Sequence, residues 1–104
     1  MQVNEKIFYV GKRKIVRSSR HYSITIRKDL IEFLNHPKFL FVILRYNDKE
    51  IPIGLREVVW RKVSGYIVYT VSVPKTLTPY FKMNNLLDKE FDVFVIPFDD
   101  KEVI

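Results

Sequence analysis

The sequence predicts a mainly β fold with short helices, built from two pseudo-equivalent halves. A nine-residue phrase occurs twice, first as Tyr22-Ser23-Ile24-Thr25-Ile26-Arg27-Lys28-Asp29-Leu30 and again as Tyr69-Thr70-Val71-Ser72-Val73-Pro74-Lys75-Thr76-Leu77. Tyrosine falls on tyrosine, hydroxyl on hydroxyl, β-branched on β-branched, lysine on lysine and leucine on leucine, and such a repeat sets the architecture before any other signal. Alternating apolar and polar residues dominate the chain, the mark of half-buried strands. A chain of 104 residues, 47% apolar and 14% aromatic, is one small domain, 1–104, with enough apolar surface for a core.

The elements follow in order. Lys6 to Val10 reads as a short strand ended by Gly11, and Lys12 to Arg17 as a second strand. Ser18-Ser19-Arg20 is a polar turn. His21 to Arg27 alternates, with Tyr22, Ile24 and Ile26 on one side and Ser23, Thr25 and Arg27 on the other. Lys28 to Asn35 carries Leu30, Ile31, Phe33 and Leu34 as the stripe of a short helix, stopped by Asn35-His36-Pro37. Phe39 to Tyr46 is a buried strand, Asn47-Asp48-Lys49 a turn, and Ile51-Pro52-Ile53-Gly54 an extended link between the halves. Val58 to Val63, the Ser64-Gly65 turn and Tyr66 to Val73 form a second hairpin, with glycine where a positive φ is needed. Lys75 to Met83 is a helix interrupted by Pro79, Phe91 to Ile96 the last strand, and Pro97 onward an acidic tail. The internal repeats therefore run about 12–46 and 58–97, with a link about 47–57. Each half is hairpin, short helix, strand. Neither covers its sheet alone, whereas two interleaved halves close a small barrel and remove exposed edges.

Composition excludes several classes of function. Without cysteine there is no disulfide framework and no thiolate site. Two histidines without ligand spacing argue against a metal, and no cofactor is expected. There is no serine–histidine–acid order with supporting residues and no glycine-rich phosphate loop, so the expectation is a protein that is not an enzyme and has no small-molecule substrate. The start lacks a signal-peptide core, and the longest apolar run, Phe39 to Leu44, ends at Arg45, so a cytoplasmic protein without a membrane partner is expected. The absence of alanine and abundance of Ile, Lys, Phe, Tyr and Asn are what an AT-rich coding sequence yields, and would suit an archaeal virus or its host. Net charge is +6, with +7 on residues 1–45 and −1 on residues 46–104. A basic half beside a near-neutral half suits an anionic partner such as nucleic acid.

Hairpin, then "[IV]-x-[IV]-P-K-x-L", then strand resembles the AbrB/MazE-type swapped-hairpin domain. Val71-Ser72-Val73-Pro74-Lys75-Thr76-Leu77 fits its strand-to-helix corner in residue type, and Asn85 to Val95 resembles its following segment. The first copy fits except that Arg27 replaces proline, and the glycine before the last strand is missing from both copies. The resemblance implies a swapped-hairpin (AbrB-like) barrel of two pseudo-equivalent halves, formed within one chain or as a further-swapped homodimer. It also implies a transcription regulator that binds double-stranded DNA through basic residues on the hairpin.

Candidate contacts are Lys12, Arg13, Lys14, Arg17, Arg20, Arg27 and Lys28, seven basic residues within 17 positions, with Arg61 and Lys62 adding phosphate contacts from the second hairpin. Lys12, Lys14, Arg20 and Arg27 are expected on one surface, and Arg20 and Arg27 as the source of base preference. The alternative for these charges is defence of an exposed sheet edge. The more basic first hairpin is expected to read DNA while the second serves as scaffold. About six neutralised phosphates imply a loss of about 10³-fold in affinity between about 50 and 200 mM salt. Trp60, Tyr66, Tyr69, Tyr22 and Phe41 are expected chiefly in the core, and His21 flanking a strand. Two rival functions stand beside this one. The first is a protein-interaction module, antitoxin-like or host-factor-binding. The second is a single-strand or RNA binder that stacks bases on aromatics.

Overall fold

Alternation along the chain becomes strands wherever every second side chain finds a core. The computed structural model describes residues 6–18 and 21–98. Its elements are β1 (Phe8–Lys14), β2 (Val16–Ser18), β3 (His21–Ile26), α1 (Lys28–Phe33), β4 (Phe39–Tyr46), β5 (Lys49–Glu57), β6 (Val59–Val63), β7 (Tyr66–Ser72), a 3₁₀ turn at Lys75–Leu77, α2 (Thr78–Met83) and β8 (Glu90–Phe98). They form two antiparallel four-stranded sheets, ordered β1-β8-β4-β5 and β2-β3-β7-β6, and not the closed barrel expected from the sequence: among the described residues β1, β5, β2 and β6 remain sheet edges. The chain crosses between sheets at Ile15 and again at Val58. Val10, Ile24, Ile26, Leu40, Val42, Leu44, Val71, Phe81, Phe91, Val93 and Val95 make the centre of the core. Among the described residues no polar or charged side chain is buried.

Exchanging β1–β4 for β5–β8 leaves both strand orders unchanged. The N-terminal strand of each half lies on the C-terminal strand of the other: β1 on β8, and β5 on β4. The sequence repeat places Ile24 and Val71 at equivalent positions, and these two residues face each other across the β3–β7 ladder. A pseudo-twofold axis therefore passes through that pair. Ser23 faces Ser72 and Thr25 faces Thr70 around it.

The equivalence reaches well beyond the repeated phrase. Gly11 (φ +121°) and Gly54 (φ +101°) each sit at a bulge, where a residue with a side chain would be strained. The extra residue in each bulge, Val10 or Ile53, is buried. Arg13 Nε donates to Thr25 O at 3.2 Å, and Arg56 Nε donates to Ser72 O at 2.9 Å. These two arginines bind one sheet to the other at both open sides. Helix exits match as well: Asn35 and Asn85 take φ of 63° and 54°, and the amides of His36 and Leu86 donate to Ile31 O and Phe81 O, both at 2.9 Å.

Several boundaries differ from the sequence reading. β1 runs straight through Gly11, because the bulge absorbs its unusual φ; the break falls at the buried Ile15. The expected link is the nine-residue strand β5. Pro52 is tolerated there because β5 is a sheet edge, and the turn into it is tight, with Asn47 and Asp48 at φ 50° and 64°. Pro79 lies in the first turn of α2, where its missing N–H costs nothing, so it opens that helix instead of interrupting it. β8 extends through Pro97 to Phe98. Ser19, Arg20 and the acidic stretch from Asp99 lie outside the described residues.

Candidate nucleic-acid interface

Basic residues adjacent in sequence are sent to different places by strand alternation. Lys12 and Lys14 stand opposite Asp92 and Glu90 on β8, whereas Arg13 between them stands opposite the buried Phe91 and turns inward. Lys12 Nζ lies 3.7 Å from Asp92 Oδ1, which also accepts the Tyr9 hydroxyl at 2.7 Å. That hydrogen bond, helped by Lys12, holds the Asp92 carboxyl below its ordinary pKa and raises the Tyr9 phenol. The charge of Lys12 thus already has a partner. Arg13 is committed to Thr25 O and Lys12 O. Arg27, at the entrance to α1, lies 3.7 Å from Asp29. The structure does not bring these residues to one surface: Lys12 and Lys14 belong to the first sheet, and Arg17 and Arg27 to the second and its exit. Arg20 lies outside the described residues.

What the fold does assemble is a cationic groove. Arg17 and His21 from the first hairpin face Lys75 and Lys82 from the second half, across Tyr22, Val73, Thr78 and Pro79, enclosing about 500 Å³. The Arg17 guanidinium lies 6.0 Å from the Tyr22 ring centroid, and among the described residues no carboxylate lines the groove. The interleaving of the halves makes this site: the Val73 amide donates to Tyr22 O at 2.8 Å, so the chain leaving β7 enters the 3₁₀ turn and α2 beside the first hairpin. Among the described residues Lys14, Lys28, Arg61, Lys62, Lys75 and Lys82 form no ion pair. Lys75 and Lys82 were absent from the sequence-based set. The repeat aligns Lys75 with Lys28, but only the pairing of β3 with β7 puts it next to Arg17.

The second hairpin has the equivalent groove with other chemistry. Trp60 occupies the place of Arg17, since each stands opposite the repeated tyrosine, Tyr69 or Tyr22. Ile31, His36, Pro37, Lys38, Glu57, Val58, Ile67 and Tyr69 complete this groove of about 390 Å³. This hairpin is longer than the first, with five facing pairs against three, and every residue of β6 is exposed. Trp60 is 61% and Tyr66 76% exposed, which corrects their expected place in the core. As an edge strand beyond the helix, β6 has no layer above it. Tyr22 and Tyr69 do pack partly against the core. Arg61 and Lys62 project from β6 into solvent.

Ile24 and Val71 point inward, so Ser23, Thr25, Thr70 and Ser72 lie on the other side of the second sheet, half-buried, where the Arg56 guanidinium donates to Ser72 Oγ at 2.6 Å. Among the described residues no group of three or more His, Cys, Asp or Glu is placed to hold a metal ion, and no helix is long and apolar enough to cross a membrane. The chain matches no family model, no curated protein and no solved structure.

Proposed function

We propose that this chain is a small double-stranded-DNA-binding regulator of the swapped-hairpin, AbrB/MazE-like kind, with the groove at Arg17 as its phosphate clamp. The observation that carries this reading is the convergence of Arg17, His21, Lys75 and Lys82 on one groove that no carboxylate among the described residues lines. Cations gathered from distant parts of a chain repel one another, and an anion crossing the groove relieves that repulsion. Arg17 offers a planar fork of donors to a phosphate while its other face rests on Tyr22. Lys75 and Lys82 act as point charges on the far wall. The self-mapping strand orders and the bent strands at Ile15 and Val58 support the swapped-hairpin assignment.

Counterion release gives the test. Neutralising about three phosphates, one each for Arg17, Lys75 and Lys82, predicts a slope of log affinity on log salt near −2.7, a loss of about 40-fold between about 50 and 200 mM salt. Fluorescence anisotropy of a labelled promoter duplex and a scrambled duplex measures this. Replacing Arg17, Lys75 and Lys82 together by alanine should flatten the slope by about three. No binding at the lowest salt, or an unchanged slope in the triple variant, overturns the proposal. Tighter binding to the promoter than to the scrambled sequence separates a regulator from a general coating protein.

A further inference from the structure

We infer that the groove between the second hairpin and α1 is a slot for the base of an unpaired nucleotide; the inference rests on the nucleic-acid reading above. The pseudo-twofold makes this groove the counterpart of the phosphate clamp, yet at its centre an indole replaces a guanidinium. Trp60 is 61% exposed on a sheet edge, an orientation that leaves most of its ring surface in water. Tyr69 stands opposite it, and the His36 ring lies 6.2 Å from the Tyr69 ring at an interplanar angle of 55°. Three rings thus border one groove, over a floor that includes Ile31 and Val58. A flat aromatic ring fills such a space and covers the indole. Lys62 follows Trp60 on the same side of β6, two positions along, and forms no ion pair among the described residues. It stands where the phosphate attached to a stacked base would pass. Glu57, the one acid among the described residues lining the groove, is an acceptor for the exocyclic amino group of cytosine, adenine or guanine. A cation outside and an acceptor inside an aromatic groove complement a nucleotide.

Trp60 is the only tryptophan in the chain, so intrinsic emission reports this groove alone. The full chain is titrated at low salt with a labelled mixed-sequence single strand, with the duplex of the same sequence, and with inorganic polyphosphate. Anisotropy reads binding, and emission reads stacking. The single strand should quench Trp60, whereas the duplex and polyphosphate should bind without quenching. Trp60→Ala should weaken single-strand binding about tenfold, Trp60→Phe much less, and both should leave duplex affinity within about twofold. Tyr66→Ala, also on the second hairpin but outside the groove, should change neither. Single-strand binding without quenching, equal quenching by duplex, or unchanged single-strand affinity in Trp60→Ala overturns the slot. Quenching that rises with protein concentration alone, with a doubled mass, assigns the face to a second copy and overturns it too. The two readings fail separately: loss of duplex binding with single-strand quenching intact sinks only the clamp, and duplex binding without quenching sinks only the slot.

Discussion

The groove beside the first hairpin and the groove beside the second occupy equivalent places in two interleaved halves, yet one is walled by Arg17, Lys75 and Lys82 and the other by Trp60, Tyr69 and His36. Elsewhere the halves agree where the backbone demands it. Gly11 and Gly54 hold the bulges, Arg13 and Arg56 tie the sheets, and Asn35 and Asn85 close the helices. Positions that match across the axis maintain the scaffold. Positions that differ across it, with Arg17 against Trp60 foremost, are where the two grooves part in chemistry.

The largest expected effect concerns whether the halves share their core equally. Phe81 and Ile31 are equivalent residues beneath the two helices, and both are fully buried. Phe81→Ala should lower unfolding free energy by about 3–5 kcal/mol and Ile31→Val by about 0.5–1.5 kcal/mol, read by urea denaturation. A smaller loss at Phe81 than at Ile31 would show that the core is not divided as the burial indicates.

Exchanging the groove centres comes next. Arg17→Trp should cut duplex affinity about tenfold at low salt, and Trp60→Arg should raise it by a similar factor while steepening the salt slope by about one. Anisotropy titrations at several salt concentrations decide this, and equal behaviour of the two variants would erase the distinction between the grooves.

The sheet-tying arginines offer a finer contrast. Arg56 donates to both Ser72 O and Ser72 Oγ, the latter at 2.6 Å, while across the axis Arg13 donates to Thr25 O and to the adjacent Lys12 O and to no side chain among the described residues. Arg56→Ala should therefore cost more stability than Arg13→Ala, about 1–3 kcal/mol against about 1 kcal/mol. Thermal melts of the two variants would show a larger drop for Arg56.

The smallest effect is acid dependence on the first half's side. Asp92 has a depressed pKa in the folded state because of Tyr9 and Lys12, so its contribution is present above the unfolded carboxylate pKa and is lost as pH falls through the lower folded value. Asp92→Asn should slightly flatten the acid limb of the stability curve. The site is solvent-facing, and raised salt should shrink the difference.

The fold was legible where local chemistry and tertiary role agree. The β3–β7 repeat, the Asn47-Asp48 and Ser64-Gly65 turns and the α1 stripe all follow from residue type. β5 was hidden because Pro52 and Gly54 read as breakers, while a sheet edge and a bulge accommodate both. The Arg13/Arg56 equivalence was hidden by spacing: Gly11 to Gly54 spans 43 positions but Tyr22 to Tyr69 spans 47, because the second hairpin carries four more residues. The cationic groove was only half visible. Arg17 belongs to a basic run, but Lys75 and Lys82 join it solely through the crossing of the halves. Exposure of Trp60 could not be read from alternation, which gives the side of a strand and not whether anything covers that side.

One short turn carries a wider consequence. Asn47-Asp48 is all that joins two interlocked halves, and on the far side of the same sheet Phe8 lies beside Val95. A chain spliced there and cut at the turn would be a circular permutant with every strand neighbour intact. The tether also makes pairing of the halves unimolecular, so thermal stability does not depend on their meeting by diffusion. Each half is thereby free to mutate alone, which two identical subunits encoded by one gene can never do.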